Sequence, residues 1–250
     1  MLHILTLNIN FYGEKHGAWQ DRQPLIEQAI SEANPDIVAL QAVRLDPQVA
    51  SGEDQASQLA HNLGYPHVFF EPAHSTPQGL ADGTAIISRL PFSHRDSLQL
   101  THREDVEDPN DRALLLARFD LADGPFHLFN AYFSWVPEQT ADNLDEAIPY
   151  INTFPDPGLL VGDFNTPADS PLLNRLREAG WVDLWSAFHP GEPGLTFEAG
   201  DLSIRIDYAW ANRKLQPQAR GIHLVQNERS PSGPRLSDHL GLLVTLDLEA

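Results

Sequence analysis

Apolar segments of strand length recur from one end of the chain to the other, and no other feature limits the fold so sharply. They run Leu2 to Ile9, Ile37 to Leu40, Ala85 to Ser88, Ala113 to Phe119, Phe126 to Phe133, Leu159 to Val161, Ile204 to Ala209, Ile222 to Val225 and Leu240 to Leu248, bounded by Gly, Pro, Asp or Asn. Such runs read as strands closed by turn formers. Helical spacing is rarer. In DRQPLIEQAISEANPD the residues Leu25, Ile26, Ala29, Ile30 and Ala33 share a helical face, and Asn34-Pro35 ends it. SPLLNRLREAG predicts another helix, with Ser170 as cap, Pro171 at the first position and Gly180 as the stop. EDQASQLAHNLG and PEQTADNLDEAIPYI carry the same spacing more loosely. Many strands and few helices predict two sheets packed face to face with helices outside, in one domain spanning residues 1–250.

The chain has 250 residues, 42% of them hydrophobic, enough to bury a sizeable core. It has no cysteine, so no disulfide or thiolate metal site is available, and a cytoplasmic location is expected. MLHILTLNIN reads as a first strand, not a signal peptide, and no run has membrane-spanning length. The formal net charge is -19, and Lys15 and Lys214 are the only lysines. A surface of that sign repels polyanions, so long duplex DNA is a poor default partner. The simpler reading of the charge is a solvated acidic surface kept for solubility.

Polar groups gather at the strand ends. LLVGDFNTP sets Asp163 and Asn165 two residues apart after a buried run, so a carboxylate and an amide converge on one side of the chain, or else form an Asx-turn. In SIRIDYAWA, alternation places Arg205, Asp207 and Ala209 on one face. A carboxylate within a strand needs a partner, and Arg205 or another arginine would serve. RLSDHLGLLVTLDL puts Asp238 beside His239 just before the last strand, where neighbours face opposite ways and serve different partners.

Taken in order, LTLNIN, DIVALQAV, DGTAIISRLPF, RALLLARFD, FNAYFSW, LLVGDFNTP, RIDYAWA and LSDH resemble the endonuclease/exonuclease/phosphatase superfamily of magnesium-dependent phosphoesterases over the whole chain. The resemblance implies an α+β fold, a four-layer α/β sandwich of two mixed β-sheets packed face to face and flanked by helices. It implies a hydrolase of phosphodiesters or phosphomonoesters that uses Mg2+ or Mn2+, whose preference for oxygen ligands suits these residues. Asn8 and Asp238 would help hold the metal, Asp163 would orient or deprotonate the attacking water, and Asn165 would contact the phosphoryl oxygens. Asp207 would hold one nitrogen of His239 and leave the other facing phosphate.

Two positions depart from the family pattern. Where relatives carry the metal-binding Glu after Gln, this chain has Ala42, so weak metal binding and little activity are expected. Two origins fit: a replacement made to trap an inactive complex, and natural loss that leaves a catalytically silent phosphate-binding pseudoenzyme. Tyr132 stands where most relatives have histidine; its phenol would reach phosphate, or be a buried aromatic with its hydroxyl satisfied. Asp82 falls at the position of that histidine's acidic partner, and Arg112 would pair with such carboxylates or hold the fold. Phe133, Trp135, Trp181, Trp185 and Phe197 would stack on a base, meet an acyl chain, or be core. THREDVEDPNDR is an acidic loop, not the basic stripe a DNA nuclease needs. The expected partner is therefore a small-molecule phosphoester or a short single strand, and the expected state is a monomer.

Overall fold

Alternating side chains give each sheet two buried faces, and that doubling produces the layers. A computed structural model of the protein describes residues 1–11, 16–48, 52–198, 201–225 and 233–249. In chain order the elements are β1 (Leu2–Asn8), α1 (Trp19–Ala33), β2 (Ile37–Leu45), α2 (Gln55–Leu63), β3 (His67–Ser75), β4 (Ala81–Ser88), β5 (His94–Leu100), β6 (Arg112–Leu121), β7 (Gly124–Tyr132), α3 (Pro137–Ile151), β8 (Gly158–Asp163), α4 (Asn174–Glu178), β9 (Trp181–Asp183), α5 (Leu184–Phe188), β10 (Asp207–Asn212), β11 (Ala219–Val225) and β12 (Gly241–Leu246). One six-stranded sheet has the order β11-β12-β1-β2-β4-β3, the other β5-β6-β7-β8-β10-β9. Both are mixed, because β1 pairs β2 and β7 pairs β8 in parallel among antiparallel neighbours.

Ile37 and Ala39 turn into the core between the sheets with Leu115, Leu128 and Val161. Val38 and Leu40, one residue out of step, pack outward against Ile26 and Ile30 of α1 and Leu59 of α2. The other sheet repeats the scheme: Leu116, Leu160 and Trp210 meet Leu144 of α3 and Leu176 of α4. This is the four-layer α+β sandwich expected. Each buried aliphatic side chain of this kind contributes roughly 1.5–3 kcal/mol.

The predicted helices form where the spacing placed them, with Asn34 and Gly64 in the left-handed region closing α1 and α2. SPLLNRLREAG opens as a 3-10 turn at Pro171–Leu173 before α4. Strands β3, β5 and β9 are absent from the apolar runs read in the sequence, although β3 contains Val68, Phe69 and Phe70. All three lie at sheet edges, where a strand need not be apolar on both faces and where β3 tolerates Pro72.

The topology brings one set of strand ends together. The parallel pairs finish at Asn8 beside Gln41 and at Tyr132 beside Asp163, while β10 begins at Asp207, opposite Asp163. At the end of β2 the pairing with β4 slips between Leu40 and Val43, and Ala42 sits in the slip at φ 51. Its carbonyl accepts from Phe11 N and that of Gln41 from Ile9 N, so the bulge is fixed by the chain leaving β1. Of the non-glycine residues at positive φ, the others are Asn10, Asn34 and Asn165, the type that tolerates this region. Ala42 does not belong to that type, and its backbone is strained.

Candidate active site

Register alone sets Tyr132, Asp163 and Asp207 in a row across β7, β8 and β10. The row is tight because Gly162 precedes Asp163: a Cβ there would lie 1.9 Å from Ala131 O, so only glycine lets β8 approach β7 so closely. Beyond Asp163 the chain makes the Asx-turn, Asn165 N donating to Asp163 Oδ1 at 2.8 Å. Asn8 crosses from the other sheet and donates Nδ2 to Asp163 Oδ2 at 2.8 Å. Both oxygens of the Asp163 carboxylate are thus held before any ligand arrives.

His239 completes the cluster. Its Nδ1 lies 2.9 Å from Asp207 Oδ2, and its Nε2 lies 3.9 Å from both Asp163 Oδ2 and Asp238 Oδ1. The Phe197 ring covers the imidazole, with centroids 4.8 Å apart. Thr196 sets the pairing: its Oγ1 accepts from Asp207 N and its carbonyl from Leu240 N, tying the start of β10 to the start of β12. Asp238 Oδ1 also accepts from Asn10 Nδ2 at 2.8 Å, and its Oδ2 lies 3.4 Å from His16 Nε2, so the neighbours expected to face different partners share one cluster.

Burial alone would lower the imidazole of His239, but Asp207 and Asp163 override it and hold the group up at about 9. Burial raises Asp163, against His239 and with the repulsion of Asp207. Asp238 is held below the usual range although burial opposes it, because His239 and the Asn10 amide favour its charge. Three acidic side chains, Asp163, Asp207 and Asp238, thus stand around one buried imidazole. Among the described residues, the group that offers ligand atoms within 4.8 Å of one another is Asp163, Asp207 and His239.

The imidazolium also has a consequence for stability. With the folded pKa about 9 and the ordinary value 6.5, the His239 contribution is fully present below pH 6.5 and lost as pH rises through 9. In EDTA, the unfolding free energy is expected to fall across that window by on the order of 1–3 kcal/mol. Urea melts at a series of pH values measure it, and a flat or rising trend would contradict the ion cluster.

The geometry brings together Asn8, Asp163, Asn165, Asp207, Asp238 and His239, and places Ala42 next to Gln41, the strand partner of Asn8. Asn165 turns its Nδ2 to Phe133 O and to Asp163 Oδ2, at 3.0 and 3.3 Å. Asp207 opens β10 instead of lying within a strand, and its partner is His239. Arg205, the partner first considered, lies before the strand begins, pairs with Asp183 at 2.8 Å and packs 4.9 Å from the Tyr208 ring. Tyr132 is half-buried under the Arg112 guanidinium, 4.2 Å from the ring centroid. Arg112 in turn pairs with Asp108 at 2.7 Å, within a buried knot that includes Ser134. Asp82 stands opposite Arg44 and His74; burial raises its acid, and His74, Arg44 and Arg112 oppose that. Of the aromatics, Phe133, Trp181 and Trp185 are core, Phe197 covers His239, and Trp135 is 46% exposed. The acidic loop uses its own arginines: Arg103 bonds Asp105 and Asp142, and Arg112 bonds Asp108.

Sequence reasoning missed Asn10, His16, Thr196 and Ser237, which orient the predicted residues. Ser237 donates Oγ–H to Asn8 O at 2.6 Å and accepts from His239 N at 3.1 Å, so the serine of SDH is the link between β1 and the imidazole. The one legible signal was the second amide of LNIN, two residues after Asn8. Gln41 and Asn130 were overlooked as a pair. They bond at 2.7 Å across the two sheets, and Asn130 also holds the carbonyls of Leu40 and Ala85.

Residues 5–239 match the sequence profile of the Endonuclease/Exonuclease/phosphatase family. No curated protein matches the chain in sequence. Among solved structures, an endonuclease/exonuclease/phosphatase from Bacteroides vulgatus superposes with a TM-score of 0.79 at 19% identity, covering 99% of each chain. The mannosyl-6-phosphatase of Bacteroides thetaiotaomicron gives 0.76 at 16% identity, covering 98% of this chain and 99% of that one. A humanized D. rerio TDP2 gives 0.71 at 18% identity, covering 97% of each.

Proposed function

The chain belongs to the endonuclease/exonuclease/phosphatase family, and on that ground we propose that it is a phosphoesterase fold working as one domain, with activity weakened by the alanine at position 42. The observation that carries this reading is the convergence of Asp163, Asp207, Asp238 and His239 with Asn8 from the other sheet.

The donor set suits a hard divalent cation, Mg2+ or Mn2+: carboxylates in excess of cationic partners, an amide oxygen and no thiolate. Asn8 and Asp238 would hold it, and position 42 would supply the missing carboxylate. When bound, such an ion supplies charge neutralisation and polarisation of the phosphoryl oxygen. The remaining work falls to the side chains. Asp163, its oxygens fixed by Asn8 and Asn165 and its basicity raised by burial, takes the proton of the attacking water. His239, kept charged by Asp207, presents Nε2–H to a phosphoryl oxygen where negative charge develops. Phe197 keeps water from one face of that imidazole. Tyr132, next to Asp163 in the row, offers a phenol to the phosphate.

The substrate class follows from charge. A net charge of -19 and arginines already paired with acids argue for a small phosphodiester or phosphomonoester, or a short single strand, over long duplex. A panel of such esters assayed with the Ala42→Glu protein, in magnesium, manganese and EDTA, tests this. Metal-dependent turnover of the small esters is expected. Turnover of duplex DNA alone would overturn the substrate reading.

Ala42 itself favours a second reading, a silent module that keeps the phosphate pocket. Inorganic phosphate bound by the chain, with no turnover of any ester after Ala42→Glu, would select it.

A further inference from the structure

Arg22, in α1, is 1% exposed, yet among the described residues its hydrogen bonds go to backbone carbonyls, not to a carboxylate. Nη1 donates to Asn10 O at 2.8 Å, Nη2 to Leu236 O at 2.8 Å and to Ile9 O, and Nε to Arg235 O at 3.2 Å. Burial lowers its pKa to about 10, with Asp238 acting against that. A buried guanidinium ordinarily pairs with an acid, because an unpaired buried charge is costly. Here the acids nearby are left for the site.

The four carbonyls fall in two groups. Ile9 and Asn10 follow Asn8 directly, and Arg235 and Leu236 lead directly into Ser237, Asp238 and His239. These two loops come from distant parts of the chain and also meet through Ser237 Oγ on Asn8 O and Asn10 Nδ2 on Asp238 Oδ1. We infer that Arg22 is the positioning residue of this face: its planar fork clamps the loop that carries Asn8 and Asn10 against the loop that carries Asp238 and His239. Lysine keeps the charge but offers a single point of donation on a flexible stem, so it cannot span both loops. The carbonyls that it leaves would be buried without donors and would move toward water.

The clamp stands on geometry, while its effect on turnover rests on the phosphoesterase reading; two separate measurements keep them apart. The first is amide hydrogen exchange of the Arg22→Lys and Arg22→Ala chains. Hydrogen bonds to a charged group are worth enough that exchange in residues 8–11 and 235–239 is expected to quicken about tenfold or more, while residues 159–163 and 207–211 keep their rates. The second uses bis(p-nitrophenyl) phosphate and manganese in the Ala42→Glu background. Both variants should lose about tenfold or more in kcat, with KM changed less than about threefold, and added guanidinium should restore part of the Arg22→Ala loss.

Unchanged exchange at residues 8–11 and 235–239 in both variants would overturn the clamp. So would equal loosening of every segment without rescue by guanidinium, because that is the signature of a residue needed only for stability. If the Ala42→Glu parent has no turnover, the phosphoesterase reading fails and the exchange result still decides the clamp.

Discussion

The Ala42→Glu chain is expected to hydrolyse small phosphoesters about a thousandfold faster than the chain with alanine, at saturating magnesium. That factor corresponds to the several kcal/mol a bound cation contributes to a phosphoryl transition state. Magnesium keeps most of its waters and takes only one or two carboxylates from a protein, so one missing carboxylate is a large share of the site. The cluster has little to substitute. Asp207 is committed to His239, and Asp163 already accepts from Asn8 and Asn165. Position 42 adjoins Gln41, the strand partner of Asn8, and its left-handed backbone is held by Phe11 N on its carbonyl. A second readout does not depend on turnover. A glutamate buried there raises the repulsion among carboxylates, so the Ala42→Glu chain should melt lower in EDTA and recover in magnesium, while the alanine chain responds weakly. Equal rates and equal melting responses in the two chains would remove position 42 from the argument.

In the Ala42→Glu background, Asp207→Asn is expected to lower kcat by about 10² to 10⁴, the range that general acid–base groups contribute. Asparagine preserves the shape at the head of β10 and removes the charge that most raises His239, whose imidazole then loses its main reason to stay protonated. Two features distinguish this from simple damage. The basic limb of the kcat/KM profile should move to lower pH, because the imidazolium is lost earlier. The fold should persist, since Thr196 still binds the amide of residue 207 and the flanking core is unchanged. A rate within about threefold of the parent and an unmoved basic limb would show that the Asp207–His239 pair has no part in the reaction.

Much of the architecture was legible because its strands are buried on two faces and carry continuous apolar runs. Edges β3 and β5 were not, since they answer to solvent on one side and their patterns are mixed, while edge β11 showed as Ile222 to Val225. The site shows a similar division. Asp163, Asn165, Asp207, Asp238 and His239 announced themselves as polar groups abutting apolar runs. Their supports did not, because a serine, a threonine and an arginine on a helix have many ordinary uses. Arg22 falls at helical spacing from Ile26 and Ala29, on the buried face of α1, but the sequence does not show which distant carbonyls would receive its guanidinium there. Asp207 shows how alternation misleads at a boundary: the zigzag holds within a strand, and Arg205 stands two residues outside it.

The pairing of β12 between β1 and β11 carries a lesson about synthesis. Asn8 and Ser237 touch although 229 residues separate them. A ribosome therefore releases β1 long before β12 exists, and the β1 edge that β12 covers must wait, unpaired, while the intervening residues are made. Contacts of such long reach are slow to close and leave an open flank vulnerable to wrong partners meanwhile. Turnover, where it occurs, should switch on abruptly as β12 docks between β1 and β11, which makes it a stopwatch for that step.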